Sequence, residues 1–239
     1  MKHYLLRVGA DKDKGGGFVS PIFEDMTYRF IPIPDDKNDL ILDSAITYSD
    51  YRWQNKSIVS FLPARMSPDH FIHNDPEFTT FTYGSPKYRA DGVKEKNYDA
   101  LLRIDRGDIL TFYAAFSSSD IKMNGLYFFA YFVVETIVHW GSIDDLSEYD
   151  QSLIRNNHHF IHRRQDQVVV VGSSNSRLFE KAVLLSSSKE DFKEKNYYPC
   201  KSIKENTGYE KAMNMSSLRC LPSDRACKFK EYLDVHSVR

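Results

Sequence analysis

The sequence predicts an α+β fold: a strand-rich mixed or antiparallel sheet, or a partly closed barrel, with a few peripheral helices. Three observations lead there. Aromatic residues make up 14% of the 239 residues, with 15 Tyr and 16 Phe, and aromatic and β-branched side chains suit a pleated, half-buried surface. Two apolar runs, Ile109 to Phe116 and Leu126 to Trp140, flank a polar loop at Ser117 to Asn124, which is the pattern of a core hairpin. Helical spacing also occurs, in Ile143 to Asn157 and in Asp224 to Leu233, so the class is mixed. The length fits a single domain over 1–239, in which 1–100 and 101–239 could be two subregions packed together.

Taken in order, His3 to Val8 is the first strand. It runs into Gly9, a charged stretch and the triplet Gly15, Gly16 and Gly17. Phe18 to Phe23 and Tyr28 to Ile33 flank a hairpin turn at Glu24 to Thr27. Pro32 and Pro34 end that unit, because proline cannot donate to a strand ladder. Asp35 to Met66 is polar and irregular, with short strands at Leu40 to Leu42 and Ile58 to Leu62. Pro76, Gly84 and Pro86 make His73 to Gly84 a structured loop.

After the core hairpin, Ser142 caps a helix from Ile143 to Asn157. Asp144 and Asp145 suit its first turn, and Leu146, Tyr149, Leu153 and Ile154 recur at helical spacing. Gln167 to Gly172 is an apolar run that fits a buried strand. Ser173 to Arg177 is a polar turn leading to a helix, with Leu178, Ala182 and Leu185 on one face. Ser187 to Glu205 is a charged surface excursion.

Charge and cysteine content narrow the function. Lys and Arg number 32 against 33 Asp and Glu, a net charge of −1. Tight, sequence-independent duplex binding depends on phosphate neutralisation, so a free nucleotide, a single base or a single strand is the better-matched partner. Three cysteines, Cys200, Cys220 and Cys227, make no disulfide framework, and with only His236 nearby they lack zinc-ligand spacing. Their expected state is buried or neutral thiol. The amino-terminal segment is neither a signal nor a transit peptide, and no apolar stretch is long enough to span a bilayer. The expectation is a cytoplasmic protein without a membrane partner.

Five segments carry chemistry. The Gly15–Gly17 loop offers backbone amides to a phosphate, although it lacks the Gly-Lys-Ser/Thr ending of a P-loop. A simple flexible hairpin loop is the plain alternative. The segment His73-Asn74-Asp75-Pro76-Glu77 places an imidazole and two carboxylates within five residues, enough for a general acid and base or for hard metal ligands. Otherwise it is a turn in which Asp75 accepts backbone amides. In Asn156 to Arg164, three of the eight histidines precede Arg163 and Arg164. His158 and His162 share a face whether the segment is helix or strand, and the arginines suit phosphate. Gly172 to Leu178 brings Ser176 and Arg177 to a helix N-terminus, an anion site or an ordinary cap. Arg219, in a short turn near the end, could reach a further phosphate.

These segments also resemble a known family. Leu5 to Gly9 with Gly15–Gly17, Pro21 to Asp25 and Ile31 to Pro34 are similar to the start of the nucleotide-modification-associated domain family, type three. His73 to Phe78 followed by Thr82-Tyr83-Gly84 resembles its second signature, and the Asn157-His158 region through Ser176-Arg177-Leu178 is also similar. Met26 departs from the glycine common after that aspartate, which changes a turn and no chemistry. The resemblance implies a role in nucleotide or nucleic-acid modification and supplies no mechanism. The turn at Gly107-Asp108 before Ile109 is also similar to small PUA-like barrels that hold modified bases.

The first expectation is therefore an enzyme modifying a nucleotide or a nucleic-acid base in a polar, phosphate-binding cleft. Asp75, Glu77 and His158 would handle protons. Arg7, Gly15, Gly16, Gly17, His73, Tyr83, Asn157, Arg163, Ser176, Arg177 and Arg219 would bind substrate, with Tyr83 stacking on a base. The alternative is a non-catalytic PUA-like reader of a modified base, with an aromatic pocket beside Ile109 to Phe116. A metal-dependent hydrolase or nuclease with a carboxylate–histidine centre is third. No metal ligands are assigned, and the sequence specifies no cofactor.

Overall fold

The computed structural model describes residues 1–9, 19–35, 46–118, 124–187, 197–211, 218–221 and 223–238. The glycine triplet at 15–17 and the strand expected at Leu40 to Leu42 lie outside them. In chain order the strands are β1 (His3–Arg7), β2 (Ser20–Pro21), β3 (Ile33–Pro34), β4 (Arg52–Trp53), β5 (Lys56–Ser57), β6 (Ile72–His73), β7 (Thr82–Pro86), β8 (Ile109–Ser117), β9 (Asn124–Trp140), β10 (Gln167–Gly172), β11 (Arg177–Ser187) and β12 (Arg219–Cys220). The helices are α1 (Tyr98–Leu101), α2 (Glu148–Ile154), α3 (His158–Ile161), α4 (Lys201–Thr207) and α5 (Ala226–His236).

The fold is α+β, built on the hairpin of β8 and β9. At 17 residues β9 serves two neighbourhoods. Its stretch up to Val133 pairs with β8 and β11, and the stretch from Val134 to Trp140 pairs with β10. The main sheet runs β12-β1-β8-β9-β10-β7, with β11 on β9 and β2 on β8. β1 and β2 run parallel to β8 while the other pairs are antiparallel. The sheet is thus mixed, and among the described residues it does not close into a barrel.

Both faces of the central strands are covered, which is why β8 reads as a continuous apolar run. Leu110, Phe112, Ala114 and Phe116 face Tyr28, Phe30, Trp53, Ile58 and Ile72 from the amino-terminal loops. Ile109 and Tyr113 face Ile203 of α4 and Phe229 and Leu233 of α5. Phe30 stacks on Phe129 with ring centroids 4.9 Å apart. A third apolar cluster joins Val138, Trp140, Val169 and Val171 to Ile154 of α2.

Several expectations change, among them the strand at Ile58 to Leu62, which is a 3-10 turn at Val59–Phe61. The helix expected after Arg177 is strand β11: Phe179, Val183 and Leu185 face α5 while Leu178, Ala182 and Leu184 face the opposite layer. That is a period of two, and the apparent helical face, Leu178, Ala182 and Leu185, mixed residues of both layers. The helix expected over Ile143 to Asn157 is interrupted. Ser142 closes a capping box on a 3-10 turn at Ile143–Asp145, and Ser147 then caps α2 by accepting from the Asp150 amide. The charged stretch after Ser187 contains α4, whose Ile203 is fully buried. Cys220 and Cys227 are exposed, all three cysteines are free, and partial desolvation pushes the Cys220 thiol up, which favours its neutral form. Among the described residues no helix is long and apolar enough to cross a membrane.

Candidate functional site

A dense set of buried polar side chains lies at the β7 edge of the sheet, where three chain segments meet. β3 pairs with β6, Ile33 opposite His73, so Asp35 follows the end of β3 beside the His73 imidazole. After His73 the chain passes through a cis Asp75–Pro76 bond and turns back into β7. The third segment is α3. Asn157 caps it by accepting from the His159 amide at 3.0 Å, and its own side-chain amide donates to Asp75 Oδ1 and to Thr82 Oγ1.

The result is a cluster of Asp35, His73, Asp75, His158 and His159. His158 Nε2 lies 2.8 Å from Asp35 Oδ2, His73 Nδ1 lies 3.8 Å from Asp35 Oδ1, and His159 Nε2 lies 3.5 Å from Asp75 Oδ2. The His73 ring links the two halves, with centroids 4.1 Å from His158 and 5.1 Å from His159. Asp75 also accepts the Gly84 amide on both oxygens, at 2.9 and 3.1 Å. The His159 ring lies directly over Gly84: a Cβ there would stand 2.3 Å from His159 Cδ2. Only glycine leaves room for that packing.

Burial sets the protonation states. It pushes Asp75 up to about 7, against the opposing pull of His73, the Gly84 amide and Asn157. It pushes His158 down to about 2 and His159 well below the ordinary imidazole value, so both rings are neutral at neutral pH. Burial would raise Asp35 too, but the facing His158 and His73 outweigh it and hold the carboxyl below the usual range. The cluster thus offers imidazole nitrogens, one firmly ionised carboxylate and one carboxyl that titrates near neutrality. Two overlapping sets, Asp35-His73-His158 and His73-Asp75-His159, bring three ligand atoms within 4.8 Å of one another. The exposed rim is formed by Arg164, whose guanidinium contacts Asp35 at 3.2 Å, and by His73; their side chains are 23% and 15% exposed.

The family model for nucleotide modification associated domain 3 matches residues 2–226. The chain belongs to that family. A comparison with curated proteins gives no match. Among solved structures, the N-terminal domain of Thermococcus gammatolerans McrB bound to m5C DNA aligns over 98% of this chain and 98% of that one, at 12% identity and a TM-score of 0.34.

Within this member of the nucleotide modification associated domain 3 family, His73, Asp75, Asn157 and His158 come together. Tyr83 stands on β7 beside Asp75, its ring 5.6 Å from Phe112 and its hydroxyl pushed far up by burial. Glu77 does not join them. Its carboxylate accepts the Thr79 and Thr80 amides and the Thr80 hydroxyl, closing the turn before β7. The expected substrate-binding residues outside the cluster are spread apart. Arg163 points outward to Asp144, Arg177 pairs with Asp234 of α5 at 3.4 Å, and Ser176 accepts the Val133 amide. Ser176 and Arg177 join two strands, so no helix N-terminus stands there.

Arg7 and Arg219 belong to β1 and β12, the opposite edge of the sheet, against Tyr197 and against Tyr209 and Tyr113. The aromatic rings beside Ile109 to Phe116 pack on one another in the core. Asp35 and His159 belong to the family member's cluster and were not singled out by the sequence. Asp35 stood in a stretch read as irregular, and only the β3–β6 register brings it to His73. His159 was visible as one of three neighbouring histidines, but a short helix rather than simple alternation turns it inward.

Proposed function

We propose that this family member is a recognition module for a modified nucleotide or nucleic-acid base, and that the ligand enters at the His73–Arg164 rim of the cluster. The observation that carries this reading is the engagement of the carboxylates. Asp75 is held by the Gly84 amide and Asn157, and Glu77 is consumed by its turn, so the paired acid and base of the enzymatic reading are not free together. The imidazoles and the Asp35 carboxylate instead present a set of donors and acceptors able to read a base edge. The family's description associates the domain with nucleotide modification. The chain's charge of −1 favours a single strand or an extruded base over an intact duplex.

The test is fluorescence anisotropy with single-stranded and duplex oligonucleotides that differ only in base modification, paired with mass spectrometry of the nucleosides afterwards. Recognition predicts tighter binding of one modified oligonucleotide, unchanged nucleosides, and retained binding in Asp75→Asn. Equal affinity for every oligonucleotide would exclude it. One observation favours a modifying enzyme as the second reading: Asp75 is held near pKa 7, where a general acid–base works best. That reading takes over if a new nucleoside accumulates and Asp75→Asn abolishes it.

A further inference from the structure

We propose that Asp35, His73 and His158 bind a divalent first-row transition-metal ion through one carboxylate oxygen and two imidazole nitrogens. The inference goes beyond base recognition and does not depend on it. Its first support is geometric. On a metal with bonds of about 2.0–2.2 Å, neighbouring ligand atoms stand about 3.3 Å apart. Asp35 Oδ2 lies 2.8 Å from His158 Nε2 and Asp35 Oδ1 lies 3.8 Å from His73 Nδ1, and with one ligand atom taken from each residue the three lie within 4.8 Å of one another. Small side-chain shifts would place them around a common centre.

His158 supplies the second support. Its side chain is only 3% exposed, and Nε2 faces Asp35 Oδ2 at 2.8 Å. An imidazole nitrogen and a carboxylate oxygen are thus brought together away from water, and both are ordinary ligand atoms for such an ion. The surroundings also hold the ligands in place. Arg164 fixes Asp35 through Oδ1, the Asp35 amide donates to the Phe71 carbonyl at 3.0 Å, and the Asn157 cap orients α3 beneath His158. Such outer contacts are what keep metal ligands oriented.

The donor set specifies the ion class. Two imidazoles and a carboxylate suit zinc, cobalt, nickel or ferrous iron, whereas magnesium and calcium prefer all-oxygen sites. The overlapping set His73-Asp75-His159 is the weaker candidate, because Asp75 already accepts Gly84 twice and Asn157 once.

The experiment uses the full chain, stripped with a chelator and reloaded with Zn²⁺ or, for its visible absorption, Co²⁺. The expected result is one ion per chain by elemental analysis and d–d bands typical of nitrogen and oxygen ligation. Those bands should be lost in Asp35→Asn and in His73→Gln and kept in Asp75→Asn, with far-UV circular dichroism confirming that each variant is folded. If one ligand variant unfolds, the other decides. Absence of stoichiometric Zn²⁺ or Co²⁺ in the wild type overturns the proposal, as does full Co²⁺ binding in folded Asp35→Asn. Oligonucleotide binding measured on chelated protein keeps this outcome separate from that of base recognition.

Discussion

Gly84 and His159 share one volume, and the chain has solved the conflict by giving Gly84 no side chain. Since the position has no positive φ, a substitution there tests sterics without backbone strain. Gly84→Ala should displace the His159 ring and cost about 1–3 kcal/mol, as overpacked sites do. Urea denaturation checks this, and an unchanged midpoint would mean the ring yields freely. Asn157 is the second pivotal residue, fully buried and bonded to Asp75, Thr82 and the His159 amide. Asn157→Ala removes a helix cap and two donors, with an expected loss of about 2 kcal/mol. It should also loosen Asp75, visible as a shift of the Asp75 carboxyl signal by NMR.

At the level of elements, the turn from Glu77 to Thr82 is a self-contained unit. Glu77 and Thr82 exchange backbone hydrogen bonds at 2.8 and 2.9 Å, and the Glu77 carboxylate caps the amides between them. Glu77→Ala should therefore lower stability by about 1–3 kcal/mol and leave Co²⁺ binding intact, whereas a ligand of the metal would abolish it. Calorimetry and Co²⁺ absorption on the same sample separate the two roles.

How far the elements were legible depended on what they pack against. The hairpin of β8 and β9 declares itself because both of its faces are apolar over many residues. β11 was misread because its two faces feed different layers, so a helical subset of positions could be picked out of a simple alternation. The site divided in the same way. His73, Asp75, Asn157 and His158 sit in locally dense polar segments and could be found by inspection. Asp35 could not, since its place depends on β3 pairing with β6, a contact between distant residues that no local pattern reports. The spread of the arginines was equally invisible, because it depends on strand order.

For the molecule as a whole, His3 ties distant parts together. Its Nε2 lies 2.6 Å from Thr111 Oγ1 on β8, its Nδ1 faces the Ala226 carbonyl at the start of α5, and its ring packs on Phe229 at 4.8 Å. Burial lowers its pKa to about 3. Between that value and the ordinary 6.5 the unfolded chain binds a proton that the folded chain refuses, so stability falls as pH falls through this window. The slope from one such histidine is about 1.4 kcal/mol per pH unit. His3→Gln should reduce the pH dependence by about that amount, compared with wild type by urea midpoints at pH 6 and pH 5. Parallel curves for the two proteins would show that His3 is not the group responsible.

The strand that carries His3 has another consequence, for the order in which the protein is made. Among the described residues β1 pairs with β8 and β12, both encoded far downstream. It therefore leaves the ribosome well before either neighbour exists, and its apolar residues must wait for over a hundred more to be translated. Long-range parallel pairing of this kind is slow to form. Until β8 emerges, this nascent segment is the stretch that a chaperone would have to shield.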